Sequence, residues 1–156
     1  MKLDRLDARI LAELQNDGRR SVVEVAERIG LSATPCARRI RQLEQQSVIQ
    51  GYTAIVDPAR LGLGVQAFIE IKLERHTDES IAQFRRELEA LEEVVSCYAV
   101  TGEYDLLLHV ISTDLTTLSN IVLKKLLKIP GVRDVHSSIV LDTFKRFSRF
   151  PVGHLM

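Results

Sequence analysis

The sequence predicts an α+β protein: three short helices, the last two joined by a tight turn, followed by a four-stranded sheet backed by two helices. Three observations carry this. Apolar residues recur at helical spacing in three segments before residue 46, the spacing switches to strict alternation at Val65, and a strand, helix, strand order then occurs twice. A length of 156 residues suits two small domains, and the change of period divides them into 1–60 and 61–156.

The first helix places Leu3, Leu6, Ile10, Leu11 and Leu14 on one stripe, with Asp4 as its N-cap and Gly18 just past its end. Ser21 and Glu24 form a capping box for the second helix, which buries Val22, Val25, Ala26 and Ile29. Gly30 supplies the left-handed turn and Ser32 caps the third helix. There Cys36, Ile40 and Leu43 face inward, and Pro35 falls in the first turn, where its missing N–H has no intrahelical partner to lose. A small residue, Ala26, where the helices cross, with Gly30 four positions later, fits a helix-turn-helix. Residues 48–56 read as a short strand pair or wing, which makes the domain winged-helix-like, and Asp57-Pro58 opens a linker.

In the second part Val65, Ala67, Ile69, Ile71 and Leu73 form one face of a strand. A helix over 77–91 follows, with Ile81, Phe84, Leu88 and Leu91 on one stripe. Strands at 94–101 and 104–112 are joined through Gly102-Glu103 as a tight hairpin. A helix over 114–129 ends at Pro130-Gly131, and a fourth strand runs over 132–141. This order is the ferredoxin-like βαββαβ arrangement, with both helices on one face of the sheet. The other face carries Phe68, Tyr98 and Val100, too apolar for open water, so a second sheet is expected to cover it.

Composition is globular, with 46% hydrophobic and 27% charged residues. No apolar run reaches the roughly 18 residues of a membrane span, and the charged start is not a signal peptide. Cys36 and Cys97 cannot make a disulfide framework or a structural zinc site, and a reducing cytoplasm is the expected location. His76, His109, His136 and His154 have no metal-ligand spacing, no nucleophile-elbow pattern occurs, and neither enzymatic activity nor a metal is expected.

The net charge is zero, yet residues 1–60 hold ten basic and eight acidic side chains. Six arginines and no lysine lie between Gly18 and Gln45, and arginine is the residue suited to bidentate contacts with phosphate and guanine. In a helix-turn-helix the N-terminal part of the second helix reaches base edges. Thr34, Arg38 and Gln42 are therefore candidates for base contacts; Ser32, Arg39 and Arg41 for phosphate or groove contacts; Arg19, Arg20 and Ser21 for contacts on the flank. The plain alternative is a solvated helix face. Cys36 and Cys97 read as packing residues. The run TFKRFSRF at 143–150 interleaves aromatic and basic residues and reads as a terminal strand on the sheet or on a partner, ahead of a base-stacking segment.

Several stretches together resemble the Lrp/AsnC family of leucine-responsive and asparagine-type (feast/famine) regulators. They are Leu3-Asp4 with Ile10-Leu11, Gly30-Leu31-Ser32, Pro35-Cys36, Arg38-Arg39-Ile40, Leu43-Glu44, Val48-Ile49-Gln50-Gly51-Tyr52 and Asp57-Pro58. In the second half they are Gly102-Glu103-Tyr104-Asp105-Leu106-Leu107 and Ile129-Pro130-Gly131-Val132. The resemblance covers essentially the whole chain in order. It implies a head that binds double-stranded DNA, a ferredoxin-like domain that binds an amino-acid effector, homodimers through the sheets and often octamers of four dimers. No other cofactor is implied.

For the loop Gly102, Glu103, Tyr104, Asp105, turn amides can take an amino-acid carboxylate and Asp105 its ammonium; the alternative is a simple hairpin turn. The resemblance places Val100, Thr101 and Leu115 near the same pocket, with His136, Ser138 and Ile139 closing it. The expected function is a transcriptional regulator whose assembly or DNA affinity responds to an amino acid. An architectural DNA binder of the same fold without an effector is the alternative.

Overall fold

The computed structural model describes residues 2–74 and 77–155, so His76 lies outside the described residues. The chain divides into two compact units, one of Met1–Ile55 with Lys145–Met156 and one of Val56–Phe144. The first break lies close to the expected 60/61 boundary. The second was not anticipated: the last dozen residues return to the helical unit.

In that unit α1 (Arg5–Asn16) starts at Asp4, whose carboxylate accepts from the amides of Leu6 and Asp7, while Asp7 Oδ2 accepts from the Asp4 amide at 3.0 Å. Two of the free N-terminal donors and the cap's own amide are thereby satisfied. Helix α2 (Val22–Ile29) carries the Ser21–Glu24 capping box and ends at Gly30, whose φ of 75° belongs to the left-handed region. The Leu31 amide then donates to the carbonyl of Ala26, closing the turn into α3 (Ala33–Gln45). Ser32 occupies the N-cap position of α3, but its side chain makes no capping bond. Ile10, Val25, Ala26, Ile29, Cys36, Ile40 and Leu43 form the core, and Cys36 is buried there as a packing residue.

The wing does not form. Residues 48–57 contain no strand: the amides of Val48 and Ile49 both donate to the Leu43 carbonyl, wrapping the chain around the end of α3 and setting Ile49 against the core. Tyr52 then ties back through its hydroxyl to Glu44 at 3.0 Å. The segment is used to seal the helix end, which leaves no second strand for it to pair with.

The second unit contains β1 (Val65–Leu73), α4 (Asp78–Glu89), β2 (Val94–Ala99), β3 (Leu106–Ser112), α5 (Leu115–Asn120) and β4 (Val132–Ile139). The sheet is antiparallel throughout, in the order β2-β3-β1-β4. Its inward face (Ala67, Ile69, Ile71, Leu108, Val110) packs on Phe84 of α4 and Leu118 of α5, so both helices share one side.

The expected single helix over 114–129 is instead three pieces: α5, a π-helical turn at Ile121–Lys125 and a 3-10 turn at Leu126–Lys128. The Leu126 amide reaches the Ile121 carbonyl, five residues back, and both residues are buried. A wider turn brings this pair to the core side, where α-helical spacing would separate them. The expected tight hairpin is a six-residue connection, 100–105, because Asp105 is bonded to β1: its amide donates to Ile71 and its Oδ2 accepts from the Leu73 amide at 2.8 Å.

Candidate functional site

On α3 the buried Cys36, Ile40 and Leu43 define an inward side. At about 100° per residue, Thr34, Arg38, Arg41 and Gln42 fall within an arc of about 100° opposite to it, and all four are exposed. Ser32 is exposed at the start of the same helix, and Arg19 is exposed in the turn between α1 and α2. The four α3 residues form one exposed polar stripe with no acidic member.

Three flank or groove candidates are placed differently. Arg39 lies on the side of α3 facing α1, where its Nη1 donates to Asp4 Oδ2 and Asp7 Oδ1, each at 2.8 Å. Asp7 is nearly buried, and the bond to it is the main cause that raises the Arg39 guanidinium above its ordinary value. Arg20 Nη1 donates to the carbonyl of Glu13 at 3.1 Å and forms an ion pair with the Glu13 carboxylate. Ser21 spends its hydroxyl on Glu24 at 2.7 Å. Helical spacing does not reveal the Arg39 and Arg20 partners, whereas the Ser21–Glu24 pair is the capping box read from the sequence.

In the second unit, the loop 100–105 lies at the end of the sheet where β1 finishes and β4 begins. Lys72 Nζ donates to the Glu103 carbonyl at 2.5 Å and sits 3.5 Å from Asp105 Oδ1. Gly102 has φ 131°, a conformation that side-chain-bearing residues rarely adopt. The ring of Tyr104 lies 6.2 Å from that of His136, which pairs with Glu70 in the sheet register. Val100 to Asp105, Lys72 and His136 thus gather at one end; Lys72 was missed from sequence because only the β1 register brings it there.

The other three candidates do not join them. Ser138 pairs with Phe68 farther along the uncovered face, and Ile139, opposite the core residue Ala67, points to the helical side. Leu115 follows the far end of β3, a strand of seven residues spanning about 20 Å. Phe68 stacks on His109 at 5.0 Å, and Gln66 bonds to His109 Nε2. Burial pushes the His109 imidazole below its ordinary value.

The TFKRFSRF segment is not a strand. Its end is held on α1: Gln15 Nε2 donates to the Phe150 carbonyl, the Phe150 amide donates back to Gln15 Oε1, and Arg149 donates to Asn16 Oδ1. Among the described residues no cluster of three potential metal-ligating side chains occurs, and no helix is long and apolar enough to cross a membrane.

A helix-turn-helix with an exposed arginine-bearing recognition helix, joined to a ferredoxin-like unit, defines a class: transcriptional regulators with a separate ligand-binding domain. Residues 3–44 match the AsnC-type helix-turn-helix domain and residues 66–150 the Lrp/AsnC ligand binding domain, and the chain belongs to the Lrp/AsnC family. It is 41% identical over 150 residues to the leucine-responsive regulatory protein of Escherichia coli K12, covering 96% of this chain and 92% of that one. A transcriptional regulator of Neisseria meningitidis, solved in complex with L-methionine, matches 99% of both chains at TM-score 0.93 and 40% identity. The feast or famine regulatory protein of Mycobacterium tuberculosis, complexed with L-methionine, matches 95% of this chain and 98% of that one at TM-score 0.85 and 35% identity.

Proposed function

We propose that this protein is a cytoplasmic, homo-oligomeric regulator that binds duplex DNA through α3 and changes its DNA affinity or assembly on binding an amino acid. The observation that carries the DNA half is the single exposed stripe of Thr34, Arg38, Arg41 and Gln42 on a helix whose opposite side is clamped to α1. Ser32 and Arg19 supply phosphate contacts, whereas Arg20, Ser21 and Arg39 act by fixing the head. The chain needs no catalytic group for this role.

For the effector we place the site at residues 100–105. A zwitterionic amino acid offers two opposite charges, and the loop offers the matching pair. Backbone amides around Gly102 and the Lys72 ammonium meet the carboxylate, and Asp105 meets the ammonium. Tyr104 and His136 flank the side chain. Leu115, Ser138 and Ile139 enter such a site only when another copy supplies them, which fits assembly of dimers into octamers. The uncovered face bearing Phe68 and Tyr98 is the surface for pairing two sheets, both residues being partly exposed in one chain.

The test is a thermal-shift screen against the twenty amino acids, beginning with L-methionine, followed by DNA titration with and without the best ligand. A ligand that binds only the folded state raises stability by RT ln(1 + [L]/Kd). A shift accompanied by altered DNA affinity or sedimentation is the expected result. DNA binding that no amino acid alters would favour the architectural reading.

A further inference from the structure

We propose that the C-terminal segment 145–149 is a second DNA-contacting element, latched to the helix-turn-helix unit so that Lys145 and Arg146 reach the phosphate backbone of duplex DNA. The proposal rests on the DNA-binding reading above and extends it to a part of the chain outside the helix-turn-helix.

The first observation is the latch. One side-chain amide, that of Gln15, satisfies both backbone groups of Phe150, at 3.2 Å to the carbonyl and 2.7 Å from the amide, and Arg149 Nη1 donates to Asn16 Oδ1 at 2.6 Å. Asn16 is the last residue of α1, three positions before the exposed Arg19. Phe147 packs edge-on against Phe150 with ring centroids 4.9 Å apart, so the anchored stretch extends back to within one residue of Arg146. Lys145 and Arg146 are exposed.

The second observation is charge. Residues 143–156 carry Lys145, Arg146 and Arg149 and no acidic side chain. Counted by structural unit, the head (1–55 with 145–156) has 12 basic and 7 acidic residues, and the other unit (56–144) has 9 basic and 14 acidic. The neutral chain is therefore a head of net +5 joined to a unit of net −5. Without the tail the head would hold 9 basic against 7 acidic residues. More than half of the head's net charge thus comes from a segment that sequence order would assign to the acidic unit. Phosphate contacts need that charge on the DNA-binding side.

The experiment titrates a 30-bp mixed-sequence duplex by fluorescence anisotropy over a series of NaCl concentrations, using the full chain. Each phosphate contact contributes about −0.9 to the slope of log K against log salt. The expected result is that the double variant K145Q/R146Q flattens the slope by about 1.8 per head, with an unchanged thermal midpoint. Gln15→Ala, which releases the latch, should flatten it in the same direction while keeping all three charges. K124Q/K128Q, an equal charge change on the other unit, should leave the slope alone. Wild-type slopes in the tail variants of a chain that binds DNA would overturn the proposal alone. Equal flattening by K124Q/K128Q would overturn it as an effect of net charge. Altered sedimentation with an unchanged slope would also overturn it, by assigning the tail to assembly. Failure of the unaltered chain to bind DNA would overturn it together with the reading it rests on.

Discussion

Arg39 Nη1 lies 2.8 Å from Oδ1 of Asp7, a carboxylate on α1 that is only 4% exposed. The same nitrogen reaches Asp4, so the carboxylates that cap α1 also hold the middle of the recognition helix. Arg39→Ala leaves the Asp7 carboxylate without this partner inside the head. Breaking such a pair costs roughly 2–4 kcal/mol, the Arg39 side chain being partly exposed. Urea unfolding should show a lower midpoint for the variant, and an unchanged midpoint would remove the clamp.

Arg38 is one position away and exposed, and the reading proposed above gives it a base contact in place of a structural bond. Arg38→Ala should lower affinity for a specific site by roughly 1–3 kcal/mol and flatten the salt dependence, with thermal stability unchanged. Arg39→Ala should instead lose stability without a change in salt slope per bound head. Anisotropy and calorimetry on the two variants separate reading from positioning.

The assembly proposed above would use the uncovered sheet face. Phe68→Glu places a charge between His109 and Ser138, the neighbours of Phe68 on β3 and β4. A carboxylate buried between two sheets costs far more than one in water, so the variant should sediment as a monomer at micromolar concentration. A wild-type sedimentation profile would remove this face as the interface.

Asp105→Asn keeps the side chain's shape and an oxygen for the Leu73 amide while deleting the charge. Loss of one member of a buried charge pair costs about 2–5 kcal/mol, so effector affinity should fall by more than tenfold at about 1.4 kcal/mol per decade. DNA affinity without effector should be unaffected. Calorimetric titration showing unchanged effector affinity would reduce residues 102–105 to a turn.

Three helix-starting carboxylates contribute to the acid sensitivity of the fold. The Asp7 amide holds Asp4 below its ordinary value, the Ser21 hydroxyl does so for Glu24, and the Thr117 amide for Asp114. Each is bonded in its ionised form in the folded chain, so the unfolded chain takes up protons first as pH falls. The stabilisation from these groups should be fully present at neutral pH, begin to drop near the ordinary values of 3.8 for Asp and 4.5 for Glu, and fall further until the folded forms protonate. Thermal melts from pH 7 to pH 3 measure this; a midpoint that rises on acidification would contradict it.

Local signals in the sequence were legible where a few consecutive residues determine the outcome. The caps at Asp4 and Ser21, the left-handed Gly30 and the alternation through β1 all follow from chemistry within one turn or one strand. The Arg39 ion pairs are not legible because the partners lie 32 and 35 residues away, nor is the placement of Lys72, because β-register, not spacing, brings it to Asp105. The π turn was hidden because Leu118, Ile121, Val122 and Leu126 fit an α-helical stripe nearly as well. The 143–150 segment has no period at all, and only its bonds to Gln15 and Asn16 reveal where it goes.

The return of the tail makes the ligand-binding unit an insertion within the head, bounded by two covalent tethers near residues 55 and 145. A protease cut in the second tether would leave the core of α1, α2 and α3 intact while converting an intramolecular latch into a bimolecular one. The Gln15–Phe150 contact would then form at the protein's bulk concentration and no longer as a closure within one chain. Truncation after residue 60 likewise yields a head stripped of one of its own structural parts, not an independent domain cut at a natural seam.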